Sequence, residues 1–253
     1  MKAHKTVNPL ADDNRPSGII QPDSEPTRRA LRALNERRLE HAEENLSSVA
    51  ESPPAQRIWN TILRGMLAAA RPDAAAAEAC FREASGAGPA AAMMADQEPG
   101  NDTMRVAAFA LHQLGLLFRR RDEPQLALRA HSPAYHIRNE HGSFEELSES
   151  ALALGIDHDL AGEYEAGQDW HRIAIEASAK TTENVAENQA TAWSHLTASL
   201  MLSERYEDAV EAARTAREWW HKHDITAVTA TRADMKLGHA LLRVAASRIE
   251  TDD

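Results

Sequence analysis

A run of residues that returns at a fixed interval restricts the possible folds more than any single motif does, because each copy must then be one structural unit. In this chain Leu154-Gly155, Tyr164, Gly167 and Ala174 recur 42 residues later as Leu196-Thr197, Tyr206, Ala209 and Ala216. Forty residues earlier the same register holds Leu114-Gly115, Ala127 and Ala134, and His171 falls on His131. A last copy begins at Leu237-Gly238 and Leu241, 41 residues after Leu196-Thr197 and Leu200, and stops after one helix, as a terminal cap does. Within each copy the apolar residues recur at three and four, which is the helical period, and strand signals are absent. The 43% hydrophobic and 5% aromatic content suits packed helices. Gly167 lies inside such a helix, where glycine costs about 1 kcal/mol relative to alanine. Its register offers a reason. Small residues at Gly115, Gly155, Thr197 and Gly238 on first helices, and at Ala127, Gly167 and Ala209 on second helices, let paired backbones approach to about 8 Å.

The copies read AFALHQLGLLF…PQLALRAHSPA, SESALALGIDH…GEYEAGQDWHRIA and ATAWSHLTASLML…ERYEDAVEAARTA. This pattern resembles the tetratricopeptide repeat, a helix-turn-helix unit, in the longer-period variant of kinesin light chains and bacterial peptide-sensing regulators. The resemblance implies an all-α, right-handed superhelical solenoid. Two weaker copies, ALRALNERRLEHAEENLSSVA and IWNTILRGMLAAARPDAAAAEACFREA, come first and lack the Gly-x-Tyr element. A plain helical bundle is the alternative to the repeat. The expected organisation is an extended or disordered N-terminal arm over residues 1–26, degenerate helical repeats over 27–85 and a loop over 86–102. Three clearer hairpins and a capping helix then fill 103–253. Pro133, inside the second helix of its copy, predicts a kink or break near Arg129 to Ser132.

Charge and composition narrow the function classes. A formal net charge of −11 argues against nucleic-acid binding, which needs Lys and Arg in clustered excess. The single cysteine, Cys80, reads as a small packing residue. The start of the chain has no signal-peptide pattern, and no apolar run approaches the roughly 20 residues that span a bilayer, so the expectation is a soluble cytoplasmic protein. Twelve histidines invite a metal reading, above all His131, His136 and His141, Asp157-His158-Asp159, and His221 with His223. Residues five apart on a helix sit about 140° apart, so His131 and His136 do not share a face. Neither zinc-protease spacing is present, and Gly86-Ala87-Gly88 has none of the surroundings of a phosphate loop. No cofactor, metal or catalytic residue is therefore expected, and a metal-dependent enzyme or carrier has the least support.

What the resemblance implies instead is a concave groove lined by first helices that takes a peptide segment or helix of a partner protein. The groove positions are Arg57, Asn60 and Arg64; His112, Gln113, Arg119 and Arg120; Glu149, Ile156 and Asp159; Ser194, His195 and Met201; and Arg232, Lys236, His239 and Arg243. Apart from Glu149 and Asp159 the charges there are positive, which suits an acidic segment or a chain terminus. For Arg119-Arg120-Arg121 a solvated helix end serves equally well as an explanation. The asparagine clamp for chaperone tails is missing, since Leu116, Ile156 and Ala198 stand where it wants Asn. The expected role is a non-catalytic bacterial adaptor or scaffold. The alternative is a sensor of the same fold that responds to a peptide or small ligand. Self-association through the arm, with Ile19-Ile20 as its apolar anchor, is a further expectation.

Overall fold

The computed structural model describes residues 20–22, 24–47, 54–71, 73–94, 100–182, 184–222 and 235–246. Every regular element among them is a helix: α1 (Glu25–Asn35), α2 (Leu39–Ser47), α3 (Pro54–Ala70), α4 (Ala74–Met94), α5 (Asn101–Arg120), α6 (Pro124–His141), α7 (Phe144–Leu160), α8 (Tyr164–Ser178), α9 (Val185–Leu202), α10 (Tyr206–Lys222) and α11 (residues 235–246). Consecutive helices pair as hairpins, α1 with α2, α3 with α4, α5 with α6, α7 with α8 and α9 with α10. The chain divides into two compact units at residues 142 and 143.

The hairpins share one turn. In α5/α6 the amide of Glu123 donates to the Phe118 carbonyl at 3.0 Å and that of Asp122 to Arg119 at 3.0 Å. The same two bonds recur as Glu163 to His158 with Gly162 to Asp159, as Arg205 to Leu200 with Glu204 to Met201, and as Arg38 to Ala33 with Arg37 to Leu34. This is the Schellman closure, which needs one residue in the left-handed region. That residue is Arg37 (φ 57°), Asp122 (φ 59°), Gly162 (φ 79°) and Glu204 (φ 61°) in the four turns. Only one of them is glycine, so backbone hydrogen bonding holds the other three against the left-handed penalty. The first of the early copies keeps the turn although it lacks the Gly-x-Tyr letters.

Counting from these four turns, and in α3/α4 from the matching bond of the Asp73 amide to the Ala68 carbonyl at 2.9 Å, aligns all five hairpins. Seven residues before the left-handed position stand Gly115 and Gly155, and nine residues after it stand His131 and His171. A Cβ at Gly115 would lie under 3.0 Å from the His131 imidazole, and one at Gly155 under 3.0 Å from His171. Gly65 meets the Phe81 ring in the same way in α3/α4. Each of these three first helices, α3, α5 and α7, thus carries a notch that a planar ring of the second helix fills. In α9/α10 the sizes reverse, with Thr197 on the first helix and Ala213 on the second, both buried. In α1/α2 the places hold Ala30 and Leu46, members of one core cluster.

Within residues 19–142, Ile58, Trp59, Ile62, Phe81, Val106, Leu114, Leu117 and Phe118 form one core cluster. Ala33, Leu34, Leu63 and Leu67 belong to a second. In the unit from residue 143 onward, Leu196, Leu200, Ala209, Val210 and Ala240 form a third, with Leu237 and Val244 packed against it. α7 is fastened by a capping box: Ser143 Oγ accepts from the Glu146 amide and Glu146 Oε2 accepts from the Ser143 amide, both at 3.1 Å and both buried. Replacing Ser143 by alanine leaves the Glu146 amide without this acceptor. The expected cost is about 1–2 kcal/mol in a urea unfolding curve, with Ser143→Asp retaining most of it.

Three expectations change. α1 begins at Glu25, because Ser24 caps it by accepting from the Thr27 amide and Pro26 suits a first helical turn, so the arm ends before residue 26. Most of that arm, residues 1–19, lies outside the described residues. In place of a loop from residue 86, α4 continues through Gly86, Gly88 and Pro89 to Met94, since its Ala and Met content favours helix. Helix α6 runs unbroken through Pro133. Pro133 is exposed in this helix and leaves the buried stripe Ala127, Ala130, His131 and Ala134 continuous.

Candidate functional site

Residues 19–142 enclose a cavity of about 540 Å³ where the C-terminal ends of three first helices come together. α1 contributes Leu34, and the turn after it supplies Arg37. α3 contributes Met66, Ala69 and Ala70, and α5 contributes Gln113, Leu116, Leu117 and Arg120. Phe81 of α4 lies at its base, the same ring that fills the Gly65 notch. The apolar side chains of Leu34, Met66, Leu116, Leu117 and Phe81 line part of it beside the Asn35 and Gln113 amides, and two guanidinium groups, Arg37 and Arg120, stand exposed at it. Among the described residues neither side chain has a carboxylate partner. Their neighbours Arg38 and Arg121 are paired, the first with Glu36 and the second with Glu78 at 2.7 Å and Glu123 at 3.1 Å. Arg37 owes its position to the left-handed turn, which lifts it off the helix end. Among the described residues no carboxylate, imidazole, thiol or hydroxyl side chain lines the cavity.

Of the groove positions read from the sequence, Gln113 and Arg120 are the two described residues that line this cavity. Asn60 is buried and its Oδ1 accepts from the Thr27 hydroxyl at 3.3 Å, tying α3 to α1. His112 is buried, its ring 5.0 Å from that of His131, and its carbonyl accepts from His131 Nε2 at 3.1 Å. Burial, followed by the Arg138, His131 and Arg119 charges, holds the His112 imidazole well below its ordinary pKa. Arg57 and Arg64 are exposed on α3, and Arg119 is half-buried. In the unit from residue 143 onward, Ser194 and His195 are half-buried on α9, Lys236 Nζ donates to the Ser194 carbonyl at 2.8 Å, and His239 is exposed. Arg232 lies outside the described residues. Arg37, Leu34 and Met66 were not read as site residues, and the left-handed turn position is the signal that places Arg37.

Asp159 has a different place from the one its register suggests. Its carboxylate turns inward between α7, α8 and α9, where Oδ2 accepts from His171 Nε2 at 2.9 Å and Oδ1 from the Ser199 hydroxyl at 2.6 Å. A Cβ on Gly167 would lie under 3.0 Å from that carboxylate and 3.1 Å from the Gly155 carbonyl oxygen. The residue at this place in the other hairpins is Ala42, Ala77, Ala127 or Ala209, each fully buried. His158 Nδ1 pairs with Glu163 Oε2 at 2.7 Å at the end of α7. Among the described residues no three His, Cys, Asp or Glu side chains gather as metal ligands do. No described helix is long and apolar enough to cross a membrane. Burial, then the nearby Glu83 carboxylate, pushes the Cys80 thiol up.

Solved structures match this arrangement of hairpins over most of the chain. BtubC from P. vanneervenii is 15% identical, with a TM-score of 0.62 over 88% of this chain and 85% of that one. A Podosopora anserina putative kinesin light chain with TPR-like repeats is 13% identical, at 0.59 over 80% of this chain and 100% of its own. The chain has the tetratricopeptide-like repeat fold. The quorum sensor NprR from B. thuringiensis shares these repeats at 11% identity and a TM-score of 0.63, over 87% of this chain and 59% of NprR. The tetratricopeptide-like chain thus spans little more than half of that relative's length. No protein-family profile matches the sequence, and no curated protein does.

Proposed function

We infer that this tetratricopeptide-like chain is a non-catalytic protein-interaction module whose cavity in residues 19–142 receives a peptide segment carrying apolar side chains beside a carboxylate. The observation that carries the reading is the meeting of the apolar side chains of Leu34, Met66, Leu116, Leu117 and Phe81 with two exposed guanidinium groups, Arg37 and Arg120, that have no carboxylate partner among the described residues, in a protein of net charge −11. Guanidinium forks bind carboxylates bidentately, and the cavity's size falls in the range of roughly 300–1,000 Å³ typical of ligand sites. Among the described residues its lining holds no group suited to proton transfer or nucleophilic attack near neutral pH, which speaks for binding without chemistry. NprR, with the same repeat, is a quorum sensor whose structure is known with its cognate peptide NprX. The carboxylate belongs to an acidic side chain or to a chain terminus.

Panning a displayed random-peptide library against the full chain tests this. The expected outcome is enrichment of sequences with Asp, Glu or a free C-terminus next to Leu, Ile, Met or Phe. The Arg37→Glu/Arg120→Glu variant should lose at least about tenfold in affinity for those peptides, as expected for two charge-assisted pairs at a partly solvated rim. Equal binding by the variant would remove the cavity from consideration.

A further inference from the structure

The notch-and-ring pairing of the hairpins stops at α11. Gly238 follows Thr197 by 41 residues and is the counterpart of Gly115 and Gly155, whose notches hold the rings of His131 and His171. No described atom lies within 4 Å of the place a Cβ on Gly238 would take. The helix has two apolar faces. Leu237, Ala240 and Val244 pack onto the Leu196, Leu200 and Val210 cluster. The other face carries Met235 (69% exposed), Leu242 (70%) and Leu241 (45%). At about 100° per residue, Gly238, Met235, Leu242 and Ala245 fall within one arc of about 80°. A terminal helix of a repeat array ordinarily turns a polar face to water, whereas this one exposes Met235, Leu241 and Leu242 beside its polar His239 and Arg243.

We propose that this face is a self-association surface on which a second copy of α11 docks antiparallel, about a two-fold axis beside residue 240. The sizes fit that register. Position 238 then meets 242 of the other copy, so each exposed Leu242 enters the empty notch at Gly238 opposite it. Position 235 meets 245, so each Met235 lies against Ala245. Bulky and small residues interlock on both sides, as an isologous interface requires. The docked helix takes the seat that the second helix of a hairpin takes in the preceding repeats, so the contact continues the interface already built into α5/α6 and α7/α8.

Charge agrees with this assignment. Residues 235–246 contain no carboxylate, so two copies of net charge −11 meet where neither presents one. The basic groups Lys236 and Arg243 point away from the face, Lys236 to the Ser194 carbonyl and Arg243 to the Tyr206 hydroxyl at 2.6 Å and its ring. One helix of about three turns buries less than the ~1,200 Å² of a standard interface, so the dimer is weak, with a dissociation constant on the order of micromolar. This inference is independent of the peptide cavity, which lies in the other unit.

Sedimentation velocity of the full chain from about 1 to several hundred micromolar checks it. The expected result is a concentration-dependent monomer–dimer equilibrium that Leu242→Glu, and Gly238→Leu by filling the notch, each weaken at least about tenfold. Where a substitution lowers the melting temperature, disulfide trapping in a Cys80→Ala background replaces it. Met235→Cys/Ala245→Cys should give a covalent dimer, while Met235→Cys alone should not, because antiparallel pairing keeps the two copies of residue 235 apart. A monomer at every concentration would overturn the proposal, as would equal trapping by the single cysteine. So would dimerisation that appears only after residues 1–19 are deleted, which would give the face to that segment.

Discussion

Gly167→Ala is expected to destabilise the chain by about 1–3 kcal/mol, although glycine to alanine inside a helix ordinarily stabilises by up to about 1 kcal/mol. The reason is local. The added methyl would overlap the Asp159 carboxylate, with the Gly155 carbonyl oxygen 3.1 Å away. Asp159 has no free direction in which to move, since His171 Nε2 and the Ser199 hydroxyl both donate to it at 2.9 and 2.6 Å. Backbone spacing is not the obstacle, because alanine sits fully buried at this place in the other four hairpins, as Ala42, Ala77, Ala127 and Ala209. Removing the carboxylate should therefore change the sign of the substitution. Asp159→Ala alone leaves the His171 Nε2–H donor buried without its acceptor and is costly. In that background Gly167→Ala should be neutral or stabilising, and a double-mutant cycle from urea unfolding should show coupling of at least about 1 kcal/mol. Additive effects would mean that the glycine answers to backbone packing instead.

That contrast shows what the sequence carried and what it could not. The repeat was legible because close helix packing admits only small residues at Gly115, Gly155, Ala127 and Ala209, and these letters recur at a fixed spacing. The match of His131 to His171 was legible too. Its meaning was not, because a ring that fills a notch can be recognised only once Gly115 and His131, 16 residues apart, are known to face each other. The same spacing links Gly65 to Phe81, so a glycine followed 16 residues later by a planar side chain was the available signal. The turns hid for a related reason. Their bonds are between backbone groups, and Arg37, Asp122 and Glu204 hold the left-handed place where the eye looks for glycine.

Asp159 was misplaced because register fixes where a Cα stands on a helix, while a short acidic side chain beside a glycine is free to turn inward. The cavity was half legible. Gln113 and Arg120 follow from the first-helix pattern, whereas Leu34, Arg37 and Met66 come from the two copies whose register the sequence left open. Within the Arg119–Arg121 run the roles divide, in that Arg121 pairs with Glu78 and Glu123 while Arg120 stands over the cavity.

Acidification should unfold the protein through His112. Its ring is 3% exposed, and burial together with the Arg138, His131 and Arg119 charges keeps it neutral well below its ordinary value of 6.5. In the unfolded chain the same ring takes a proton near 6.5. Below that pH the unfolded state therefore binds one more proton than the folded state, and stability falls as pH falls. The slope is about 1.4 kcal/mol per pH unit for one such group, beginning near pH 6.5 and continuing down to the depressed folded value; above pH 6.5 the contribution vanishes. Urea midpoints from pH 8 to pH 5 should show the loss. A His112→Gln variant should be less stable at pH 8 yet lose less on acidification, because the proton linked to this ring has been removed. Parallel curves for the two would show that His112 takes up its proton in the folded state. The same helix, α5, carries Gln113, Leu116, Leu117 and Arg120 into the cavity. A peptide held there should accordingly oppose the acid loss, raising the low-pH midpoint of the wild-type chain and leaving that of Arg37→Glu/Arg120→Glu where it was.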